Sequence, residues 1–496
     1  MCGIAGALNQ PASENVQRMI EKIAHRGPDG NGVKTFERGT LGHVRLAILD
    51  VEGGIQPMGY ENTWIAFNGE IYNYRELQKK YLPDQPLQTH SDTEVLIHLY
   101  RKFGADFVYL LDGMFAFAIY QDGEYLLARD PLGIKPLYYG TGADGVIYFA
   151  SEIKALQGVT TFIKEFPAGH WLDSKTGWRR HYNIHADIEP FAGSEDDALP
   201  LIKSTLREAV QKRMLADVPV GVSLSGGLDS SIVSLLACEG TDQLHSFAVG
   251  VEGSEDLAAA RQMSEFLHTQ HHQLVYTAQD MVKALPEVLY YLETFDPALV
   301  RSAMPNYFLA ELASQYVKVF LTGEGADELY AGYDYLADFS DPAALQKETL
   351  YITQALHNTN LQRADRMSMA FSLEARVPFL DVKSVALAFG FPAAWKLHNG
   401  RAPKHLLRQA FAGDLPENIV NRPKQKFSKG AGSSDLIAER AQSEISDREF
   451  ISEEKRLRKE WDYTLKNKEA LYYYRIIREH YDDSFLFSTM GLSRSL

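Results

Sequence analysis

The chain has 496 residues, 65 acidic against 50 Lys plus Arg for a formal charge of −15, 45% hydrophobic residues and two cysteines. At roughly 100–200 residues per domain this length predicts more than one domain, and the negative charge argues against a surface that neutralises nucleic-acid phosphates or anionic lipid. Cys2 and Cys238 are too few for a disulfide framework, no apolar run reaches the roughly 18 residues of a membrane span, and the N-terminus lacks the pattern of a signal peptide, so the cytoplasm is the expected compartment.

From residue 1 to about 182 the pattern predicts short strands punctuated by Gly, Asn and Asp. Residues 43–49, 64–68 and 115–120 read as strands, the last turning through Gln121-Asp122-Gly123 into 124–128 as a hairpin. A helix is predicted over 93–103, with Val95, Leu96, Leu99 and Tyr100 on one face after a Ser91/Asp92 cap. This half reads as α+β.

Residues 183–200 (NIHADIEPFAGSEDDALP) are acidic, with two prolines and a Gly-Ser step, the composition of an interdomain linker with a boundary near 195. Beyond it strands at 218–224, 245–249 and 317–321 alternate with helices starting at Ser230 and running over 258–267, which predicts a parallel, doubly wound sheet. The Glu-, Lys- and Arg-rich tail after about 435 reads as helical with a solvated face.

Two stretches carry chemistry. If the initiator Met is removed, Cys2 bears both a thiol and a free α-amine, whose pKa of about 7.7–8.0 lets it act as base towards its own side chain. The strand at 218–224 runs into Ser225-Gly226-Gly227-Leu228-Asp229-Ser230-Ser231 and an apolar helix. Glycine-freed amides, hydroxyls and a helix N-terminus there form a phosphate cradle that needs no net positive charge, and the spacing is not that of a Walker A loop. Cys238, on the following helix, reads as a small buried hydrophobe. Ligands in open α/β sheets sit beyond the carboxyl ends of strands, so Gly250 and the run from Thr322 to Glu328 (TGEGADE) should join that loop. Asp229 and Asp327 are a candidate carboxylate pair for Mg²⁺.

The first half resembles the class II glutamine amidotransferases through MCGIAG at 1–6, HRGPDG at 25–30, HVRLAILD at 43–50, NGEIYN at 68–73, SDTE at 91–94 and RDPLGIKPLYY at 129–139. That resemblance implies an N-terminal nucleophile hydrolase sandwich in which Cys2 releases ammonia from glutamine. It also implies that Arg45 holds the glutamine carboxylate, that Glu70 and Asp92 read its ammonium, and that Asn68 with the Gly69 amide forms the oxyanion hole. The SGGLDSS string resembles the loop of the ATP pyrophosphatases. The pair of domains, with SFAVG at 246–250, TGEGADELYAGY at 322–333, SLEARVPFLD at 372–381 and RPKQKFSKG at 422–430, is similar to the glutamine-hydrolysing asparagine synthetase family.

The resemblance implies a glutaminase domain over 1–190 and an α/β parallel-sheet ATP pyrophosphatase domain over 200–496. ATP would be bound through Leu224, Ser225, Gly227, Asp229, Ser230, Val249, Gly250, Thr322 and Gly323, with Mg²⁺ as cofactor. Glu324 would position an acyl-adenylate, Lys424 would stabilise phosphate charge, and Arg301 would take an acceptor carboxylate. The implied substrates are glutamine, aspartate and ATP, with no nucleic-acid or membrane partner, and the implied assembly is a homodimer. Two departures concern the acceptor: Pro297-Ala298-Leu299 replaces a more polar stretch, and Ser302-Ala303 reverses the family's order. They leave open an amidotransferase, or a β-lactam-synthetase-like enzyme, that adenylates another carboxylate. An idle binding protein is disfavoured because both the nucleophile and the metal carboxylates are present.

Overall fold

The computed structural model describes residues 2–186, 188–241, 243–397, 401–423 and 436–491, without the side chain of Leu436. Its first 180 residues form two six-stranded sheets whose neighbouring strands run antiparallel. One sheet runs, edge to edge, Lys164–Glu165, Tyr138–Thr141, Ile147–Ala150, Gly3–Leu8, Gly39–Arg45, Gly30–Phe36. The other runs Gly177–Arg180, His170–Asp173, Glu124–Arg129, Gly113–Gln121, Thr63–Ile71, Met58–Tyr60.

Strand alternation separates the two faces of each sheet. On Thr63–Ile71 the large Ile65, Phe67 and Ile71 meet the helices Tyr74–Tyr81 and Asp92–Phe103. The small Ala66, with Ala116 and Ala118, packs inward against Ile4, Leu8 and Phe149 of the other sheet. Helix Ser13–Lys22 buries Val16, Met19 and Ile20 on the outer face of the first sheet. The result is a helix–sheet–sheet–helix sandwich, the α+β architecture expected of this half. The hairpin at Asp122-Gly123 is made by two residues with φ of 50° and 87°, the left-handed pair that matches strand twist.

The strand expected over 43–49 leaves its sheet at Arg45. Leu46 and Ile48 instead pack against Val319 and Met369 of the second half, so the apolar run that reads as strand is a buried interdomain contact. The acidic run at 195–197 is the first turn of helix Glu195–Arg213. Ser194 and Asp197 form a capping box, and the three carboxylates complement the positive end of the helix.

The second half is built on five parallel strands in the order Gln270–Val275, His245–Gly250, Val220–Ser223, Val319–Leu321, Glu374–Arg376. The chain begins in the middle, adds two strands to one side and then crosses to the other. The reversal opens a crevice at the carboxyl ends of Val220–Ser223 and Val319–Leu321. One face is covered by helices Glu195–Arg213 and Leu228–Cys238, the other by Ala278–Leu292, Pro297–Ala313 and Lys468–Ile477. The tail is therefore part of the core, since Leu471, Tyr473, Tyr474 and Ile477 are buried. Among the described residues no helix is long and apolar enough to cross a membrane.

Buried charges stitch the halves together. Arg26 Nη1 lies 2.6 Å from Glu152 and 2.8 Å from Asp365, Lys154 Nζ lies 3.0 Å from Glu293, and Arg366 Nη2 lies 3.0 Å from Glu293.

Candidate functional site

Cys2 stands at the head of strand Gly3–Leu8, against the middle of strand Thr63–Ile71. Its backbone nitrogen donates to Asn68 Oδ1 at 3.1 Å, and its Sγ lies 3.8 Å from the Leu46 carbonyl. The other end of the same amide, Asn68 Nδ2, is buried with no hydrogen-bond partner. A buried donor without an acceptor costs about 1–3 kcal/mol, so its presence beside the thiol marks a place where an acceptor arrives. Gly69 follows because nothing larger fits: a Cβ there would lie 2.1 Å from the Met114 carbonyl oxygen.

The remaining predicted residues of this site gather around Cys2. Arg45 ends strand Gly39–Arg45, and its Nη1 and Nη2 donate to the Val51 and Asp50 carbonyls at 2.8 and 2.6 Å. Held by carbonyls, the guanidinium keeps its charge available to an anion. Asp92 opens helix Asp92–Phe103 after the Ser91 cap, and its Oδ2 accepts from the Ile71 amide at 2.9 Å. Burial pushes the Asp92 carboxyl up to about 6. Burial first, then Glu374 and Asp92, hold Glu70 well above the usual carboxylate range, against the pull of Arg376 at 3.5 Å. Burial also raises the Cys2 thiol. A guanidinium, two carboxylates and an unspent amide donor around a thiol are complementary to a small amino acid with a scissile side-chain carbonyl.

The second site is a cavity of about 260 Å³ in the crevice of the parallel sheet. Leu224, Val249 and Phe247 give it an apolar slot, and the loop 225–230 forms its floor. That loop is wound on its own hydroxyls: Ser225 Oγ is 3.1 Å from Ser230 Oγ, Gly227 N donates to Ser225 Oγ at 3.3 Å, and Ser230 Oγ donates to Gly227 O at 3.1 Å. Gly226, at φ 67°, passes within contact of Ala259, where a Cβ would lie 2.5 Å from the backbone. The helix expected from Ser230 starts two residues earlier, at Leu228, which brings Asp229 into its first turn.

Thr322, Gly323, Glu324 and Asp327 arrive from the neighbouring strand end and line the same cavity. Gly323 lies flat on the loop, because a Cβ there would be 2.8 Å from Asp229 Cβ and 3.1 Å from Ser230 N. Asp229 and Asp327 share the Lys404 ammonium, which is ion-paired with Asp229 Oδ2 and 2.6 Å from Asp327 Oδ1. Asp229 Oδ1 is buried and makes no hydrogen bond. Two carboxylates held by one cation, with a spare oxygen, fit a divalent ion that completes its shell with phosphate oxygens and water. Among the described residues no cluster of three metal-ligating side chains occurs, so phosphate oxygens would be needed.

Three expected residues stand apart from this arrangement. Gly250 ends its strand outside the cavity lining, packed where a Cβ would meet Ser254 Oγ at 2.8 Å. Arg301 lines the cavity, but Glu469 of the tail takes its Nε at 2.8 Å and also pairs with Nη2. Lys424 lies outside the described residues. Conversely, Lys404, Arg363 (paired with Glu324) and Arg422 (Nη2 2.7 Å from Asp256) enter the cavity unannounced. Arg422 sits inside a motif already noted, while the other two carry no local pattern.

Comparison with known proteins agrees with this division. A family model described as a glutamine amidotransferase domain matches residues 1–182, and one described as asparagine synthase matches 201–342 and 337–486. The chain is 38% identical over 511 residues to asparagine synthetase [glutamine-hydrolyzing] 3 of Arabidopsis thaliana, covering 97% of this chain and 87% of that protein. It is 38% identical over 512 residues to the asparagine synthetase [glutamine-hydrolyzing] of Sandersonia aurantiaca, covering 97% and 96%. With the protein of that name from Zea mays it shares 38% over 510 residues, covering 97% and 86%.

Proposed function

The chain belongs to the glutamine-hydrolysing asparagine synthetase family, and on that premise we propose that it makes asparagine from aspartate, ATP and ammonia released from glutamine. Residues 1–190 are assigned to ammonia release and 200–496 to synthesis. The observation that carries the reading is the Cys2–Asn68 arrangement, in which one amide oxygen holds the nitrogen of the nucleophile and the unspent Nδ2 lies beside it.

Once Met1 is removed, the Cys2 nitrogen is an amine that accepts the thiol proton as sulfur attacks the glutamine side-chain carbonyl. Asn68 Nδ2 and the Gly69 amide then hold the oxyanion, where one donor is worth about 3–4 kcal/mol. Arg45 takes the glutamine carboxylate, and Glu70 and Asp92 take its ammonium. Collapse of the intermediate expels ammonia, and water releases glutamate from the thioester.

In the second site the apolar slot at Leu224 and Val249 receives adenosine, and the loop amides with Ser225 and Ser230 receive the phosphates. The aspartate side-chain carboxylate displaces pyrophosphate from ATP to give an acyl-adenylate, which ammonia attacks with loss of AMP. Adenylation is required because a carboxylate is a poor electrophile. Mg²⁺ would be held by Asp229 and Asp327, where it supplies charge neutralisation for the polyphosphate. Glu324 positions the acyl-adenylate, and Lys424 is assigned to phosphate charge by resemblance alone. A reducing, cytoplasmic setting suits the two unpaired cysteines. A homodimer, checked by light scattering, is the assembly the family resemblance implies.

The test incubates pure protein with ATP, Mg²⁺, glutamine and a panel of carboxylic acids, and measures AMP, pyrophosphate and amide. Aspartate should give all three. AMP from another acid but none from aspartate would reject this reading in favour of a different acceptor.

A further inference from the structure

Five cationic side chains line the cavity among the described residues: Arg301, Arg363, Lys404, Arg408 and Arg422. Four are committed elsewhere. Glu469, itself fixed by the Tyr473 hydroxyl at 2.7 Å, takes Arg301, and Lys404 sits between the two aspartates. Arg408 donates to the Pro403, Val420 and Arg422 carbonyls. Arg422 donates to the Ser225 carbonyl and to Asp256.

Arg363 differs. It rises from helix Asn360–Met369 and is 7% exposed, its Nη2 pairs with Glu324, and its Nε is buried with no hydrogen-bond partner. One turn back on the same helix face, Asn360 donates at 3.0 Å to both Glu328 and the Tyr333 hydroxyl, fixing the wall beside it.

We propose that Arg363 binds the α-carboxylate of the acceptor amino acid while Glu324 takes its α-ammonium, so that the pair seen here is a template for a zwitterion. The proposal rests on the synthetase reading above and names the selectivity of that same site. An α-amino acid that slides between the two side chains exchanges one ion pair for two and leaves neither charge alone. A dicarboxylate without the amine draws Arg363 away and leaves Glu324, a partly buried carboxylate, facing the pocket with no cation of its own, which disfavours that acid. The planar fork of arginine suits a carboxylate in a way that lysine does not reproduce.

The experiment uses the full-length protein with ammonium chloride as nitrogen source, and measures AMP formation from aspartate and from succinate in the wild type, Arg363→Lys and Arg363→Met. The wild type should prefer aspartate by about 100-fold or more. Arg363→Met should raise the aspartate KM roughly 10- to 100-fold and erode that preference. The ATP KM and glutamine hydrolysis should stay within about twofold, and Arg363→Lys should recover part of the loss. An unchanged aspartate KM in Arg363→Met would overturn the assignment, as would an equal rise in the ATP KM. Equal use of succinate by the wild type would overturn it while leaving the synthetase reading intact. No AMP from aspartate in the wild type would reject that reading, and Arg363 would then be judged with whichever α-amino acid gives AMP, against its des-amino analogue. No AMP from any acid rejects both.

Discussion

Arg376, on the edge strand of the parallel sheet, places its Nη2 3.5 Å from Glu70 Oε1 in the antiparallel sandwich. A cation from the second half thus stands behind a carboxylate that the proposed glutamine site uses in its ionised form. Removing it takes away a lowering influence on Glu70 and leaves burial, Glu374 and Asp92 to push its carboxyl further up. Arg376→Met should therefore raise the glutamine KM by about tenfold or more while ammonium-driven AMP formation persists. Steady-state kinetics with each nitrogen source checks this, and equal loss of both activities would count against it.

The nucleophile can be separated from synthesis. Cys2→Ala should abolish glutamine-dependent amide formation and leave the ammonium-dependent reaction. Asn68→Ala should lower glutaminase kcat by about 10²- to 10³-fold with a smaller change in KM. Intact mass should show Met1 absent from active protein, and a retained Met1 would contradict the α-amine base.

Asp92 sets a pH limb. Burial pushes its carboxyl up to about 6, so kcat/KM for glutamine should fall as pH drops through about 6, because the protonated acid cannot bind an ammonium. The sign for stability is the reverse. A raised carboxyl pKa means that the folded state binds the proton more tightly than the unfolded state, so stability is lost as pH rises from about 4 towards 6. Asp92→Asn should therefore be more stable than the parent at pH 8, by at most about 3 kcal/mol, and the gap should close below about pH 4. Calorimetry across that range decides it.

Gly69→Ala drives a Cβ to within 2.1 Å of the Met114 oxygen, on a paired strand that cannot yield cheaply. Glutamine hydrolysis should be lost, with destabilisation of about 1–3 kcal/mol, and AMP formation from ammonium retained. Gly323→Ala should show the converse pattern, since its Cβ would strike Asp229 and the Ser230 amide. An Ala variant at either glycine with unchanged kinetics would show that the close approach is not required.

The elements that could be read from sequence are those whose signals are local. Asn68 and Gly69 adjoin on one strand, the Ser91 cap precedes its helix, and the hairpin at Asp122-Gly123 needs only two residues of left-handed backbone. Leu46 and Ile48 are legible as apolar but not as interdomain packing, because the surface they cover lies more than 250 residues away at Val319 and Met369. Arg301 shows the same limit: its partner Glu469 is 168 positions downstream, in a tail whose charge reads as solvated. Lys404, Arg363 and Arg376 matter through what faces them, and no spacing rule connects them to Asp229, Glu324 or Glu70.

The buried seam of Arg26, Glu152, Lys154, Glu293, Asp365 and Arg366 has a thermodynamic consequence. Parting the halves would separate Arg26 from Asp365 and Lys154 from Glu293, and would expose the apolar seam of Leu46, Ile48, Val319 and Met369, whose burial is worth about 25 cal/mol per Å². The two catalytic halves should then melt in a single cooperative transition, and neither should persist as an autonomous folded unit when the chain is cut between them.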